Sequence, residues 1–454
     1  MPTPPLSGGP AGPTHLRPLL ATVLDALQEG ARSRPGPLPP GGPAAVTAQV
    51  HHTIGDALPE DGTGAEEALR ALTTLLAHGA ADPADPLCAA HLHCPPLAVA
   101  TAADLAASAL NPSMDSWDQA PAASALEELV TTALAAHVHP GATGLVTTGA
   151  TEANQLALLL AREHHGPVQL LAGENAHHSL HRAAWLLGLP EPVTLPAPAG
   201  TLDPAALDEA LTQLHQPLLV AATAGTTDAG LIDPLAQIAD LCDLHGARLH
   251  IDAAYGGPLL FSDRHRPLVD GLDRAHTVAL DLHKLGWQPV AAGLLAVRDP
   301  DESEALAHRA DYLNADDDTE AGLPDLLGRS LRTTRRPDIL KVAVTLRALG
   351  RTGIGTLVDQ VCATAAEFAA LIDAHPHFEL HAAPTISTVL FRPRHSDDTA
   401  VAHIRRQLLT EGHAVLGRAR LDGRLWLKAT LLNPYTQPAD LAGLLKLVEG
   451  HTPR

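Results

Sequence analysis

The sequence predicts an α/β fold. A large domain built on a mostly parallel sheet, with helices on both faces, follows a helical arm and precedes a small α+β domain. Three observations predict this arrangement. Pro/Gly-rich stretches surround helical segments near the start, strand-like and helix-like segments alternate from about residue 100, and the alternation stops after residue 330. The predicted domains are therefore residues 1–85, 86–340 and 341–454.

The predicted arm combines coil and helix. Residues 1–14 and 31–43 are rich in Pro and Gly and predict coil. The segment between them, HLRPLLATVLDALQEGAR, spaces Leu and Val along one helical face, and a second helix is predicted within residues 61–80. We expect these helices to form an arm or a docking element.

The large domain has the rhythm that builds parallel sheets. Apolar runs of strand length alternate with helical segments such as TLDPAALDEALTQLH, and repeated strand–helix–strand units favour parallel neighbours. The predicted strands are GLVTT, VQLLAG, PLLVAATAGTT, ARLHIDAA, HTVALDLH and AAGLLAVRD.

The last domain begins in a long helical stretch. RPDILKVAVTLRALGRTGIGTLVDQVCATAAEFAALIDAHP has helical spacing, with a predicted break near Gly350 to Gly355. Shorter segments follow, HFELHAAPTISTVLFRPR, AHIRRQLLTEG and GRLWLKATLLNP, which predict a smaller α+β domain.

Composition narrows the class of protein. The 454 residues include no uninterrupted apolar run near 20 residues, so we expect no membrane span, and the N-terminus lacks the layout of a secretory signal. A formal net charge of −21 argues against nucleic acid as a partner. Four scattered cysteines have neither metal-ligand nor disulfide-framework spacing, so we expect no metal site and a reducing cytoplasm. They are Cys88, Cys94, Cys242 and Cys362.

An acid and a lysine follow two apolar runs. Asp252 lies in HIDAAYGG, and Lys284 lies in LDLHKLGWQP 32 residues further on (284 − 252), a gap that suits one crossover between neighbouring strands. A lysine at the end of a buried strand is costly unless it is neutral or bonded, and a Schiff base to an aldehyde removes that cost. Asp252 could keep a pyridine nitrogen protonated, so the pair suits pyridoxal phosphate. A surface lysine and an acid that caps a turn are the alternatives.

A second segment suits the phosphate of such a cofactor. TTGATEANQLALLLAR places Gly149, Ala150 and Thr151 where a strand turns into a helix. Small residues let backbone N–H groups approach an anion, and the start of a helix favours negative charge. Thr151 could equally cap the helix, with Asn154 on its first turn.

Together with ENAHHSLHRA and AATAGTTDAGLIDP, these segments resemble the pyridoxal-phosphate-dependent group II amino-acid decarboxylases of the aspartate-aminotransferase fold, fold type I. The resemblance extends over about residues 85–440, in the family's order. It implies a seven-stranded sheet, pyridoxal 5′-phosphate as the cofactor, and a homodimer whose active site lies near the subunit interface.

The resemblance also implies cofactor contacts. His177, in preference to His178, matches the imidazole that stacks on the cofactor ring, and Thr223 matches a residue near its 3′ oxygen. Ala254 would lie against the ring, and His283 could reach the phosphate, although it could also be a solvent-exposed turn residue.

Two further positions bear on the reaction. The family's aromatic-amino-acid branch carries a tyrosine on a mobile loop about 29 residues after the lysine, and Tyr312 lies 28 residues after Lys284 (312 − 284). Tyr312 is therefore a candidate proton donor once CO₂ has left, or else a residue that packs on a helix end. The loop that follows it is acidic and Gly/Pro-rich, as a lid would be. Lys428 stands where that branch has an arginine for the substrate carboxylate, so a cation is kept without the guanidinium fork.

The substrate prediction rests on a narrower resemblance. AAHLHCPP and NPSMDSWDQAPAASALE are similar to segments of L-2,4-diaminobutyrate decarboxylases and, less closely, of lysine decarboxylases. His93, Trp117 and Asp118 would then border the substrate pocket; packing of the N-terminal region is the alternative, above all for Trp117.

Three functions are weighed. The favoured one is decarboxylation of a small diamino acid such as L-2,4-diaminobutyrate, with Lys284, His177, Tyr312 and Asp252 as the catalytic residues. Other amino acids (aspartate, glutamate, lysine, aromatic) are alternatives, as are a decarboxylation-coupled oxidative deaminase and an aminotransferase. A cofactor-binding scaffold without activity is disfavoured because the motif residues are all present.

Overall fold

The computed structural model describes residues 3–308 and 310–452. The chain forms two compact units. Unit 1 consists of Met1–Pro95, Thr364–Ala383 and Val389–Arg454, and unit 2 of Pro96–Ala363 and Pro384–Thr388.

The helices and strands are numbered in chain order. The helices are α1 (Gly12–Arg32), α2 (Gly42–Ile54), α3 (Ala65–Gly79), α4 (Ala98–Leu110), α5 (Pro121–Val138), α6 (Ala150–His165), α7 (Ser179–Leu186), α8 (Pro204–Gln213), α9 (Leu235–His245), α10 (Asp316–Glu320), α11 (Ile339–Asp373), α12 (Asp398–Glu411) and α13 (Pro438–Gly450). The strands are β1 (Cys88–Ala89), β2 (Thr143–Thr147), β3 (Gln169–Gly173), β4 (Val193–Leu195), β5 (Leu218–Thr223), β6 (Arg248–Ala253), β7 (Thr277–Asp281), β8 (Gly293–Val297), β9 (Phe378–Leu380), β10 (Thr388–Pro393), β11 (Val415–Leu421) and β12 (Arg424–Thr430).

Unit 2 is built on a seven-stranded sheet in the order β2-β8-β7-β6-β5-β3-β4. The strands from β7 to β4 pair in parallel, and β8 runs antiparallel to both of its neighbours, β7 and β2. Every residue of β5, β6 and β7 is buried. β5 is nearly continuous in apolar residues, as expected of a strand covered on both faces, whereas β6 also buries Arg248, His250 and Asp252. The predicted mostly parallel, seven-stranded sheet is confirmed.

Unit 1 contains β1, which pairs in parallel with β11, and the antiparallel pairs β11–β12 and β9–β10. Because Cys88 pairs with Val415, the segment before residue 95 belongs to the same unit as the C-terminal residues. The units therefore divide the chain differently from the three predicted domains, which separated residues 1–85 from residues 341–454.

Two predicted coil regions contain helix. α1 begins at Gly12, inside the predicted coil 1–14, and α2 begins at Gly42, at the end of the predicted coil 31–43. The sequence analysis did not predict α2. Its sequence shows no apolar stripe of the kind that identifies a packed helix, and none of its residues is buried in the structure.

The long helix α11 is interrupted where the sequence predicted a break. Gly350 has φ 66° and ψ 175°, a backbone conformation that L-residues other than glycine rarely adopt. Among the described residues, α11 is the one helix long and apolar enough to cross a membrane, but half of its most apolar window is buried within the protein. A core helix passes the same test of length and composition, so this feature is weak evidence for a span.

The core of unit 1 makes a stability prediction. Phe391 is fully buried, and its ring lies 5.4 Å from that of Phe368 and 5.9 Å from that of Phe378, measured between centroids. We expect Phe391→Ala to lower the free energy of unfolding by about 3–5 kcal/mol, because it removes packed aromatic surface and leaves a cavity. Exposed Leu76→Ala in the same unit should change it by less than about 0.5 kcal/mol. Equal losses in denaturant titrations of the two variants would contradict the assigned core.

Candidate active site

Thr223, Asp252 and the residues just before Lys284 lie at the carboxyl ends of three adjacent parallel strands. Thr223 ends β5, Asp252 lies opposite it in β6, and Asp281 ends the neighbouring strand β7, three residues before Lys284. The turn from β2 into α6 approaches the same edge, because the backbone N–H of Ala150 donates to the Asp281 carboxylate over 2.8 Å. Strand order thus collects residues that are far apart in sequence.

Asp252 is a buried carboxylate with two hydrogen-bond donors. It is 4% exposed, and its Oδ2 accepts from Asn154 Nδ2 over 2.8 Å while its Oδ1 accepts from the Ala254 N–H over 3.1 Å. Each carboxylate oxygen therefore has a hydrogen-bond partner. A buried negative charge held in this way can pair with a protonated ring nitrogen.

Lys284 is paired with an acid that the sequence analysis did not single out. Its Nζ lies 2.9 Å from Oδ2 of Asp281, which is itself buried. His283 Nε2 lies 3.6 Å from the same oxygen. The signal was present in the LDLHK segment, where an acid precedes the lysine by three residues at the end of an apolar strand.

The predicted phosphate segment has the tight geometry expected of a cradle. Gly149 adopts φ +156°, and a Cβ there would meet His283 Cε1 at 3.0 Å and Asp281 Oδ1 at 3.3 Å. A Cβ on Gly293 would lie 2.5 Å from the Gly149 Cα. Side chains at these two positions would fill the space around the start of α6, where an anion is favoured. Gly149, not Thr151, is the N-cap residue of α6, so the capping alternative for Thr151 does not hold; Thr151 itself is exposed.

Thr223 supplies a buried hydroxyl. Its backbone N–H donates to Asp233 Oδ2 over 2.7 Å, whereas its Oγ1 is buried and has no hydrogen-bond partner within residues 3–308 and 310–452. An unsatisfied buried hydroxyl is costly, so the position suits a polar group of a ligand.

His177 is half-buried and His178 is exposed, with their ring centroids 4.2 Å apart. Burial lowers the pKa of His177, the Asp252 carboxylate opposes that change, and the charges of His178 and Lys284 add to it. His177 is therefore close enough to both Asp252 and Lys284 for their charges to affect its pKa. His177 Nδ1 lies 2.8 Å from Ser179 Oγ.

The other candidate residues of unit 2 differ in exposure. Tyr312 is 82% exposed in a turn, and Trp117 is half-buried in a short 3₁₀ segment beside exposed Asp118. Tyr255 is fully buried, and burial raises its pKa to about 12 against the hydrogen bonds it makes with Ser387 and Thr388. Tyr255 is thus a packing residue, so Tyr312 remains the candidate tyrosine on this unit.

Lys428 and His93 belong to unit 1. Lys428 lies in β12 opposite Gly417, where a Cβ would meet its Cε at 2.8 Å, so the stem of the lysine occupies the space above that glycine. Burial lowers the pKa of His93. His91, which the sequence analysis did not single out, adopts φ 62°, and burial followed by the charge of Lys428 lowers its pKa.

These residues fit pyridoxal phosphate. The site combines a glycine cradle at the start of α6, an unsatisfied hydroxyl at Thr223, a buried carboxylate at Asp252 and an amine at Lys284. These are the groups needed for a phosphate, a phenolic oxygen, a protonated pyridine nitrogen and an aldehyde.

Comparisons with known proteins agree with this site. Residues 48–394 match the family model described as the pyridoxal-dependent decarboxylase conserved domain. An L-2,4-diaminobutyrate decarboxylase of Rhizobium meliloti (strain 1021) is 40% identical over 419 residues, which cover 88% of this chain and 84% of the relative. A protein of the same name from Acinetobacter baumannii is 32% identical, with 86% of this chain and 84% of the relative covered.

A solved structure shows the same fold over nearly the whole chain. It is the glutamate decarboxylase domain of diaminobutyrate-pyruvate transaminase and L-2,4-diaminobutyrate decarboxylase from Vibrio parahaemolyticus. It superposes with a TM-score of 0.87 at 32% identity, and the match covers 98% of this chain and 97% of that one. The chain therefore belongs to the pyridoxal-dependent decarboxylase family and is a pyridoxal-phosphate-dependent amino-acid decarboxylase.

Proposed function

We propose that this enzyme decarboxylates L-2,4-diaminobutyrate and releases 1,3-diaminopropane and CO₂. The observation that carries the proposal is the 40% identity, over 88% of the chain, to a relative that bears this activity in its name. The HLHCPP and MDSWDQ segments support the same substrate class. The net charge of −21 adds a weak, salt-screened bias towards a cationic substrate.

The site residues divide the work. When bound, the cofactor supplies a ring that accepts the electrons left on the substrate Cα. Asp252, held by its two hydrogen bonds, would keep the cofactor's ring nitrogen protonated. Lys284 provides the amine that binds the aldehyde, and Asp281 pairs with it while it is an ammonium group. The turn at Gly149, at the start of α6, would hold the phosphate, with His283 beside it.

Proton delivery to the product carbon is assigned to Tyr312. A phenol has a proton to give at neutral pH, and the acidic, Gly/Pro-rich residues after Tyr312 suit a segment that closes over a site. Tyr312 is exposed in the structure, so this role requires that its segment moves. Lys428 and His93 are proposed as substrate-binding residues by resemblance, together with Trp117.

The covalent role of Lys284 is tested by removing its amine. We expect Lys284→Ala to lose the visible absorbance band of bound pyridoxal phosphate and all measurable amine formation, because no other side chain replaces the bond to the aldehyde. Exposed Lys446→Ala is the matched control and should retain both. A Lys284→Ala protein with the wild-type absorbance band would remove Lys284 from the cofactor site.

The substrate is tested with a panel of L-amino acids assayed for both CO₂ and amine. We expect L-2,4-diaminobutyrate to give the highest kcat/KM, with equimolar CO₂ and 1,3-diaminopropane and no oxygen uptake. Aspartate, glutamate, ornithine, lysine and an aromatic acid serve as comparisons. Turnover of an acidic or aromatic substrate but of no diamino acid would reject the proposal. Oxygen uptake with release of aldehyde and ammonia would establish the oxidative deaminase instead.

We further propose that the enzyme is a homodimer in the cytoplasm. Large apolar side chains lie exposed on unit 2, where a second copy could cover them; they include Leu110, Leu129, Val290 and Leu331. The four cysteines are buried and free, as a reducing compartment allows. Sedimentation of the purified protein at micromolar concentration should give twice the mass of one chain, and cell fractionation should recover it with cytoplasmic markers. A monomer that is fully active would contradict the dimer.

A further inference from the structure

A continuous chain of hydrogen bonds joins the core of unit 2 to His177. Thr277 Oγ1 lies 2.9 Å from His250 Nδ1, and His250 Nε2 lies 2.9 Å from Asn154 Oδ1. Asn154 Nδ2 lies 2.9 Å from Ser179 Oγ, which lies 2.8 Å from His177 Nδ1. The same Asn154 nitrogen donates to Asp252. Asn154 is therefore the branch point between the acid and the histidine of the cofactor site.

The amide of Asn154 fixes the direction of every bond around it. Its nitrogen has two hydrogens, one for Asp252 Oδ2 and one for Ser179 Oγ. Its oxygen has none, so it accepts from His250 Nε2, which must carry a hydrogen. No donor is left over at Asn154, and each of its polar atoms is satisfied.

His250 completes the inner end of the chain as a neutral imidazole. Burial lowers its pKa to about 4, although the charge of Asp252 opposes that change. With its hydrogen on Nε2, its Nδ1 has a free lone pair and accepts from the Thr277 hydroxyl. The orientation of Asn154 is thereby set by a group that does not change charge at neutral pH.

Ser179 transmits this orientation to His177. Because Ser179 Oγ accepts from Asn154, its own hydrogen is free to donate to His177 Nδ1. The backbone N–H of Ser179 points to the same nitrogen over 3.4 Å. His177 Nδ1 is thus an acceptor, and the hydrogen of the neutral ring lies on Nε2.

We propose that Asn154 is a positioning residue that acts on two groups at once, fixing the orientation of the Asp252 carboxylate and, through Ser179, holding His177 as a neutral imidazole with its hydrogen on Nε2. This inference rests on the cofactor chemistry of the family and is independent of which amino acid is the substrate.

The arrangement disfavours protonation of His177. A proton on Nδ1 would turn the acceptor into a donor and leave the Ser179 hydroxyl hydrogen without its present partner. The charged groups that face His177 are Asp252, which favours the imidazolium, and Lys284 and His178, which disfavour it; Asp281 makes a smaller favourable contribution. His177 therefore keeps its hydrogen on Nε2 and does not deliver the product proton.

The test measures the dissociation constant of pyridoxal phosphate from about pH 5 to about pH 9 by the visible absorbance of the bound cofactor. An imidazolium at His177 repels Lys284 and a protonated ring, so binding weakens below the pKa of His177 and reports that pKa. Titration of the cofactor's own phosphate contributes equally in all variants. Three variants are compared with the wild type: Ser179→Ala, Asn154→Ala and the double variant.

We expect Ser179→Ala to raise, by about one pH unit, the pH below which cofactor binding weakens, because the neutral His177 imidazole loses a donated hydrogen bond. Asn154→Ala should shift this pH by the same amount. It should also raise the dissociation constant of pyridoxal phosphate at neutral pH by about tenfold, because Asp252 loses a hydrogen-bond donor. The double variant should shift this pH no further than either single variant, because both substitutions interrupt the same chain of hydrogen bonds to His177.

Ser124→Ala is the matched control, because it removes a buried serine hydroxyl of the same unit that donates to the nearby Pro121 carbonyl over 2.9 Å. It should leave unchanged both the pH below which cofactor binding weakens and the dissociation constant of pyridoxal phosphate at neutral pH. The proposal would be overturned if Ser179→Ala did not change the pH below which cofactor binding weakens, or if the shifts of the two single variants added up in the double variant. Ser179→Ala deletes a single hydroxyl and keeps the proposal testable if the Asn154 variants do not fold.

Discussion

The charge buried at the carboxyl ends of β5, β6 and β7 is the constraint on which this site depends. A carboxylate such as Asp252, 4% exposed, is stable in a core only when donors replace water. Those donors are Asn154, on helix α6, and the Ala254 N–H, directly after β6. The carboxylate that the chemistry uses is therefore already oriented in the folded protein before substrate binds, and no reorganisation is needed to place it.

A second buried acid solves the same problem for Lys284. Asp281 neutralises the ammonium group at 2.9 Å and satisfies the Ala150 N–H at 2.8 Å. One carboxylate thus binds both the amine and a backbone donor at the start of α6. Removal of Asp281 would take this partner from both the half-buried Lys284 amine and the Ala150 N–H, so the end of β7 and the turn into α6 act as a single structural unit.

Sequence periodicity was enough for the sheet, because β5 to β8 are short segments in which every residue is buried. It also indicated Asp252 and Lys284, whose polar types contrast with the strands before them. Asp281 was overlooked although it precedes Lys284 by only three residues. Asn154 could not be recognised as a site residue, because its role comes from hydrogen bonds to residues that are distant in sequence. The domain boundaries differed for the same reason, since the pairing of β1 with β11 joins positions 327 residues apart (415 − 88).

Only a side-chain amide meets the demands at position 154. The position must offer two hydrogens, to Asp252 and Ser179, and one acceptor, to His250. A carboxylate would offer no hydrogen and would repel Asp252, a hydroxyl would offer one, and an aliphatic side chain would leave three buried polar groups unsatisfied. A glutamine has the right atoms on a longer stem, but α6 fixes the distance from its axis to β6, and the bonds of 2.8–2.9 Å leave no space for an added methylene. The chemistry of the site thus dictates this residue as strictly as the packing of the core dictates the apolar strands around it.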